Sequence, residues 1–308
     1  MNGVFNALIP VLLVIAAGNI VARMGLITGD QWRGIEKIAY FLLFPALIIR
    51  TVVQTDFMAI PALGMSAALV LSIFAMSALA LALQPLLKTR FGVDGPRFSS
   101  IFQGATRWNT FVALAIADEL LGREGVALLA VAVVAMIPLL NIVNVLVLAR
   151  FASGSPPGAG RIALDLAKNP LIWSTALGLV LNVAGVPLPR FADSTLQILG
   201  NAALPIGIVC VGAGLNLAAL RRPGPALATA TVLKLAVMPV FGVAFALLLG
   251  LDGPALSAVI IAMSVPSAGN SYLLARQMGG DAPLMAEILT MQTVLAAITM
   301  PLALLLAH

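Results

Sequence analysis

"SVPSAGNSYLLAR", residues 264–276, decides how this chain is read. Its first ten residues hold Pro266, Gly269, Asn270 and three serines, and strongly apolar runs lie on both sides. The chain is 61% hydrophobic and only 9% charged, where soluble proteins carry about 25% charged residues. Its mean hydropathy is +1.08. Apolar runs of roughly 20 residues recur, each long enough to cross about 30 Å of hydrocarbon. The expected fold is all-α, a polytopic membrane protein. A transmembrane barrel would show short alternating segments instead.

Working outward, apolar segments fall near 4–22, 34–53, 58–87, 97–121, 125–149, 168–184, 192–217, 226–250, 254–278 and 283–307. They predict ten transmembrane helices. Turn residues separate them: Gly25 and Gly29, Asp94-Gly95-Pro96, Gly122, Gly185 to Pro189, Asp252-Gly253-Pro254, and Gly279-Gly280-Asp281. "ASGSPPGAG", 152–160, reads as a flexible linker. The net charge of +5 does not point to nucleic acid, because the basic residues are scattered singly between apolar runs. Most of them, including Arg23, Lys88, Arg150 and Arg221, fall on one set of connections. The positive-inside rule makes that set cytoplasmic. Both termini are then expected outside, on the periplasmic face of a cytoplasmic (inner) membrane. The first apolar segment lacks a basic leader, so it is read as part of the fold rather than a cleaved signal. A single cysteine, Cys210, precludes an intrachain disulfide and a cysteine-based metal site.

The linker divides the crossings into two sets of five, and the sets match. At a shift of 160, Pro10 meets Pro170, Gly18 meets Gly178, Gly25 meets Gly185 and Pro45 meets Pro205. Asp94-Gly95-Pro96 meets Asp252-Gly253-Pro254 at a shift of 158. Five is odd, so the halves enter the membrane from opposite sides, as a 5+5 inverted repeat. Such repeats mark secondary transporters.

The opening stretch belongs to the ninth crossing. Its counterpart in the fourth, "FQGATRWNTFVALA" at 102–115, is also interrupted, by Gly104, Thr106, Arg107, Asn109 and Thr110. Thr106 aligns with Ser264, and "NTF" (109–111) with "NSY" (270–272), so the second break is expected to be three residues longer. Pro266 removes a backbone donor. In hydrocarbon an unwound segment survives only where protein or a wet cavity satisfies it. Two breaks crossing near the midplane would build a polar site. Half-helix N-termini there offer free N–H groups and positive partial charge, which suits a carboxylate. Carbonyls at the C-terminal ends of the first half-helices would instead suit a cation.

"RWNT" in crossing four, "VPSAGNSY" in crossing nine and the ten-crossing repeat together resemble the auxin efflux carrier family. That family includes plant auxin carriers and bacterial permeases associated with malate or malonate. The resemblance implies a fold shared with bile-acid sodium symporters. Crossings 1, 2, 6 and 7 would form a scaffold, through which a homodimer assembles; crossings 3–5 and 8–10 would form a moving transport domain. The implied parts are 1–57 and 168–220 (scaffold), 58–150 and 221–308 (transport), and 151–167 (cytoplasmic linker). The plant carriers have a proline in each broken helix, whereas crossing four has Trp108 and no proline.

The candidate substrate-binding residues are Thr106, Arg107, Asn109, Thr110, Asn141, Asn144, Ser264, Pro266, Ser267, Asn270 and Ser271. For several of them two readings stand. Arg107 could grip a carboxylate bidentately or brace the crossover. Asn141 and Asn144 share a helical face and serve either the substrate or interhelix bonding; Gln292 and Thr293 are weaker versions of the same case. Lys234 lies too deep in crossing eight to snorkel easily. It acts as a charge-coupling group, near the substrate or in place of sodium, or it is satisfied by neighbouring carbonyls. Asp118 and Glu119 line a solvated vestibule or serve a cation or gate. Glu287 and Arg276 are placed to pair.

No histidine stands beside a serine and no phosphate loop occurs, so no enzyme is expected. No cofactor is expected either; sodium is the candidate coupling ion, and the metal question stays open. The expected function is a secondary transporter of small organic anions, mono- or dicarboxylates, working by elevator-like alternating access. The expected partners are that anion and the bilayer. The rivals are a sodium-coupled bile-acid-like symporter and a ligand-sensing membrane protein that does not translocate.

Overall fold

The computed structural model describes residues 2–55, 61–152, 170–215 and 224–305, with positions 160, 168 and 217. Most of the linker expected at 151–167, and Arg221 and Arg222, fall outside these residues. Among the described residues every regular element is helical. Five helical stretches are long and apolar enough to cross a membrane: Ala62–Phe91, Gly95–Phe151, Arg190–Ala213, Pro225–Leu248 and Ala282–Leu304. Ile9–Arg23, Pro170–Val183 and Gly253–Ser264 are shorter apolar helices.

In chain order the helices are α1 (Asn2–Arg23), α2 (Gly29–Ile38), α3 (Phe44–Val53), α4 (Ala62–Phe91), α5 (Gly95–Thr106), α6 (Thr110–Phe151) and α7 (Pro170–Val183). They continue as α8 (Arg190–Ala213), α9 (Pro225–Val232), α10 (Met238–Leu248), α11 (Gly253–Ser264), α12 (Asn270–Met278) and α13 (Ala282–Leu304). A π turn, Ala39–Leu43, joins α2 to α3, and a second, Leu233–Val237, joins α9 to α10.

The chain forms two compact units. The first comprises Met1–Ala62, Thr110–Val134 and Ala163–Gly214; the second comprises Leu63–Asn109, Ala135–Ile162 and Leu215–His308. In the first unit α1 runs along α8, and α3 packs on α7 and α8. The α1–α8 approach depends on missing side chains. A Cβ on Gly18 would run into the carbonyl of Val209, and one on Gly212 into the carbonyl of Ile15. Asn19 Nδ2 donates across the same seam to the Gly212 carbonyl at 3.2 Å. Asn182 of α7 closes the end of α3, its Nδ2 lying 3.2, 3.0 and 2.8 Å from the carbonyls of Val52, Val53 and Thr55. Two of those carbonyls belong to the last turn of α3, where a helix runs out of internal donors, and that of Thr55 lies just beyond it. Arg50 of α3 donates to both carboxylate oxygens of Asp193, at 2.8 and 3.3 Å.

Gly122 falls inside α6 with φ 60 and ψ −145. A Cβ on Gly125 would meet the carbonyl of Ala117, eight residues back. In a straight helix those positions are about 12 Å apart. The chain therefore turns sharply at Gly122, where the sequence placed a connection.

In the second unit α9, the π turn and α10 form one line, packed by α5, α11 and α13. The two Asp-Gly-Pro tripeptides both start helices of 12 residues. Asp94 caps α5 by accepting from the Arg97 amide at 2.9 Å, while Asp252 makes no side-chain cap bond.

Candidate functional site

Those two 12-residue helices both stop short. α5 ends at Thr106, and its C-cap Arg107 is extended at φ −71, ψ 159. α11 ends at Ser264, and its C-cap Val265 is extended at φ −66, ψ 151. Helix resumes at Thr110 in one place and at Asn270 in the other. The first interruption covers 107–109 and the second 265–269. The second is thus two residues longer, not the three that the sequence alignment implied, because helix begins at Thr110 rather than at Asn109.

Residues of the second unit tie the interruptions together. The Asn109 amide donates to the Pro266 carbonyl at 2.7 Å. The Ser267 hydroxyl donates to the Gly104 carbonyl at 2.7 Å, in the last turn of α5. Gln292 of α13 ties three segments at once. Its Nε2 lies 2.9 Å from the Gly104 carbonyl and 3.1 Å from that of Ala230, and its Oε1 accepts from the Ser267 amide at 3.0 Å. Gly104 permits this convergence: a Cβ there would sit 2.8 Å from Ile288 Cγ2 and 3.2 Å from Ala230 Cβ. The first break needs no proline. The Gly104 carbonyl, one of the last in its helix, is already taken by partners outside the helix.

Arg107 is 6% exposed. It donates from Nη1 to Asn270 Oδ1 at 2.9 Å and from Nη2 to Asn141 Oδ1 at 3.0 Å. Both acceptors are neutral amides, so the fork binds the first break to the start of α12 and to the far part of α6. The Thr106 hydroxyl lies 2.8 Å from the Phe102 carbonyl and 3.1 Å from Asn144 Oδ1. Asn144 Nδ2 donates to the Leu140 carbonyl at 2.8 Å. Asn270 is the first residue of α12 and Gly269 occupies the N-cap, so the Asn270 side chain serves Arg107 rather than the helix end.

Of the residues singled out from sequence, Thr106, Arg107, Asn109, Asn141, Asn144, Pro266, Ser267 and Asn270 join this network. Ser264 and Ser271 are buried beside the second break, and neither hydroxyl has a hydrogen-bond partner among the described residues. Thr110 begins α6 and belongs to the first unit. Lys234 sits in the π turn, fully buried, its Nζ without a hydrogen-bond partner among the described residues. Glu287 and Arg276 form no ion pair; the pairs among the described residues are Arg33–Asp30, Arg50–Asp193 and Arg97–Asp281. Two contributors were not on the sequence list of site residues. Gln103 is buried with both amide atoms unpartnered among the described residues. Gln292 stood out only as one polar residue in an apolar helix; its main partners are backbone carbonyls, which no residue type marks. No group of three His, Cys, Asp or Glu side chains among the described residues could hold a metal ion.

Residues 159–304 match the family model described as membrane transport protein. A protein of Methanothermobacter thermautotrophicus named "Uncharacterized transporter" is 22% identical over 303 residues, covering 97% of this chain and 97% of its own. "Uncharacterized transporter YfdV" of Escherichia coli K12 is 29% identical over 113 residues, which is 36% of this chain and 35% of that protein. Residues 159–304, just under half of the chain, are thus similar to membrane transport proteins. With its apolar helices, the chain is a membrane-embedded multi-pass protein, similar to proteins named as transporters.

Proposed function

We propose that the protein is a secondary transporter of small organic anions, whose carboxylate binds where α5/α6 and α11/α12 are interrupted. The observation that carries this reading is the pair of helix breaks bound to each other through the Asn109 amide and the Pro266 carbonyl. An interrupted helix in hydrocarbon is tolerated where it is buried in protein or lines a wet cavity. Here the breaks gather buried polar side chains, including Thr106, Arg107, Asn109 and Ser267. The start of α12 adds the positive partial charge of a helix N-terminus, which favours anions.

In this reading the chain crosses an inner membrane ten times as a 5+5 inverted repeat, with both termini outside. Crossings 1, 2, 6 and 7 form a dimeric scaffold. The parts bearing the two breaks move against it and expose the site alternately to each side. The transporter-named relatives support transport over sensing.

Counterflow of a labelled dicarboxylate into proteoliposomes preloaded with the unlabelled acid tests the reading. Accumulation that requires preloading supports exchange through the site. Binding without accumulation would identify a sensor, and accumulation only in a sodium gradient would identify a sodium symporter.

A further inference from the structure

Among the described residues, Lys234 and Arg107 are the buried charged side chains. Arg107 is held by amide oxygens; the Lys234 ammonium has no hydrogen-bond partner among those residues. A bare ammonium away from water is costly unless negative charge or oxygen faces it. Its surroundings are set by the π turn Leu233–Val237, which packs on α5, α11 and α13 as well as on α9 and α10. Such π turns recur at functional positions.

Gln292 fixes the level. It holds the Ala230 carbonyl, one turn before Lys234, beside the Gly104 carbonyl in the last turn of α5. Through its Oε1 it holds the Ser267 amide, just beyond the end of α11. A helical side chain leans toward the N-terminal end of its helix, which carries Lys234 toward Ala230. The C-terminal ends of α5 and α11 therefore converge on the segment bearing Lys234. Each helix C-terminus carries roughly half a negative charge and carbonyls its own helix does not use. The side chains of Gln103 and Ser264, in those same last turns, add buried oxygens without partners among the described residues. Carboxylates are scarce here: α5, α9, α10, α11 and the π turn contain none, and α13 has only Glu287. The setting is that of a cation site built from backbone and neutral oxygens.

We propose that Lys234 is a resident cation, its ammonium standing where a bound monovalent metal ion would otherwise sit between the C-terminal ends of α5 and α11. The protein then needs no sodium to hold these helix ends together, and shortening the side chain opens a sodium site. The consequence for transport rests on the proposed reading of the two breaks. The test uses no cargo, so its failure leaves the anion reading standing.

Thermal unfolding of the purified full-length protein is measured in sodium chloride and in choline chloride at equal ionic strength. Wild type is expected to melt at the same temperature in both. Lys234→Ala and Lys234→Ser are expected to melt lower in choline and to recover by about 5 °C in sodium. Lys234→Met, which fills the space without charge, is expected to ignore the salt. Sodium-dependent stabilisation of wild type overturns the proposal. So do small variants that are indifferent to sodium, or that yield no folded protein in either salt, because sodium is expected to restore them.

Discussion

The backbone amide of Asn109 donates a 2.7 Å hydrogen bond to the carbonyl of Pro266. Two segments 157 residues apart in the chain, each following a 12-residue helix that starts at an Asp-Gly-Pro, are thereby locked to one another. Pro266 has no N–H to give, so the bond runs one way.

This bond belongs to the backbone, and that separates two substitutions. Asn109→Ala keeps the amide and loses the side chain; Asn109→Pro removes the amide. The proline variant is expected to be the less stable by about 1–3 kcal/mol, the cost of leaving a buried carbonyl unsatisfied. Thermal unfolding checks the difference. If the side chain also contacts cargo, Asn109→Ala will lose at least tenfold in dicarboxylate counterflow while remaining folded.

Gln292 joins α5, α9 and the second break. In Gln292→Leu the Gly104 carbonyl keeps the Ser267 hydroxyl, and the Ala230 carbonyl keeps the Leu233 amide. The Ser267 amide loses its side-chain acceptor. One orphaned buried donor costs about 1–3 kcal/mol. At about 2–4 °C per kcal/mol for a chain somewhat smaller than this one, the melting point is expected to fall by roughly 2–12 °C. Gln292→Glu should fall further, because a carboxylate then faces two carbonyls. Equal melting of Gln292→Leu and wild type would remove the residue from the account.

Gly104 sits in a helix, where alanine is intrinsically favoured by about 1 kcal/mol. The added Cβ would nevertheless lie 2.8 Å from Ile288 Cγ2. Gly104→Ala is therefore expected to destabilise by about 1–3 kcal/mol. Ile288→Ala is expected to cost about 2–5 kcal/mol by leaving a cavity. The double variant should be more stable than the sum of the two predicts, by at least about 1 kcal/mol. Strict additivity in a denaturation cycle would mean that the clash relaxes elsewhere.

In the first unit, Gly212→Ala places a methyl against the backbone carbonyl of Ile15. A main-chain atom of a packed helix cannot rotate away as a side chain can. The loss is expected to exceed that of Gly104→Ala and to reach about 3 kcal/mol or more. Loss of the monodisperse peak in detergent chromatography is the simplest readout. Gly25→Ala, where nothing lies within 4 Å but φ is +70, should instead show only the smaller cost of a left-handed backbone.

The class of the molecule could be read from sequence because hydropathy is additive along the chain. Apolar runs of spanning length, turn residues between them and a low charge content require no knowledge of contacts. Pro266 and the polar cluster around it located the second interruption for the same reason: a missing donor is a property of the residue itself. The first interruption had no proline, and it was legible through Gly104, Thr106 and Asn109 together with its likeness to the second. Lys234 stood out as a charge in an apolar run, which is again a local property.

Tertiary structure alone decided which groups meet. Gln292 was one polar residue among several in crossing ten until its amide reached Gly104, Ala230 and Ser267, and no sequence pattern names a backbone carbonyl as a partner. The hydrogen-bond partners of Arg107 were decided in the same way, since a guanidinium donates to whichever oxygens the fold presents to it, here the side-chain amides of Asn141 and Asn270. Sequence determined where the helix could not continue, because that depends on the chemistry of single residues. What replaces the lost helical bonds depends on distances between residues far apart in the chain, and only the packed fold fixes those.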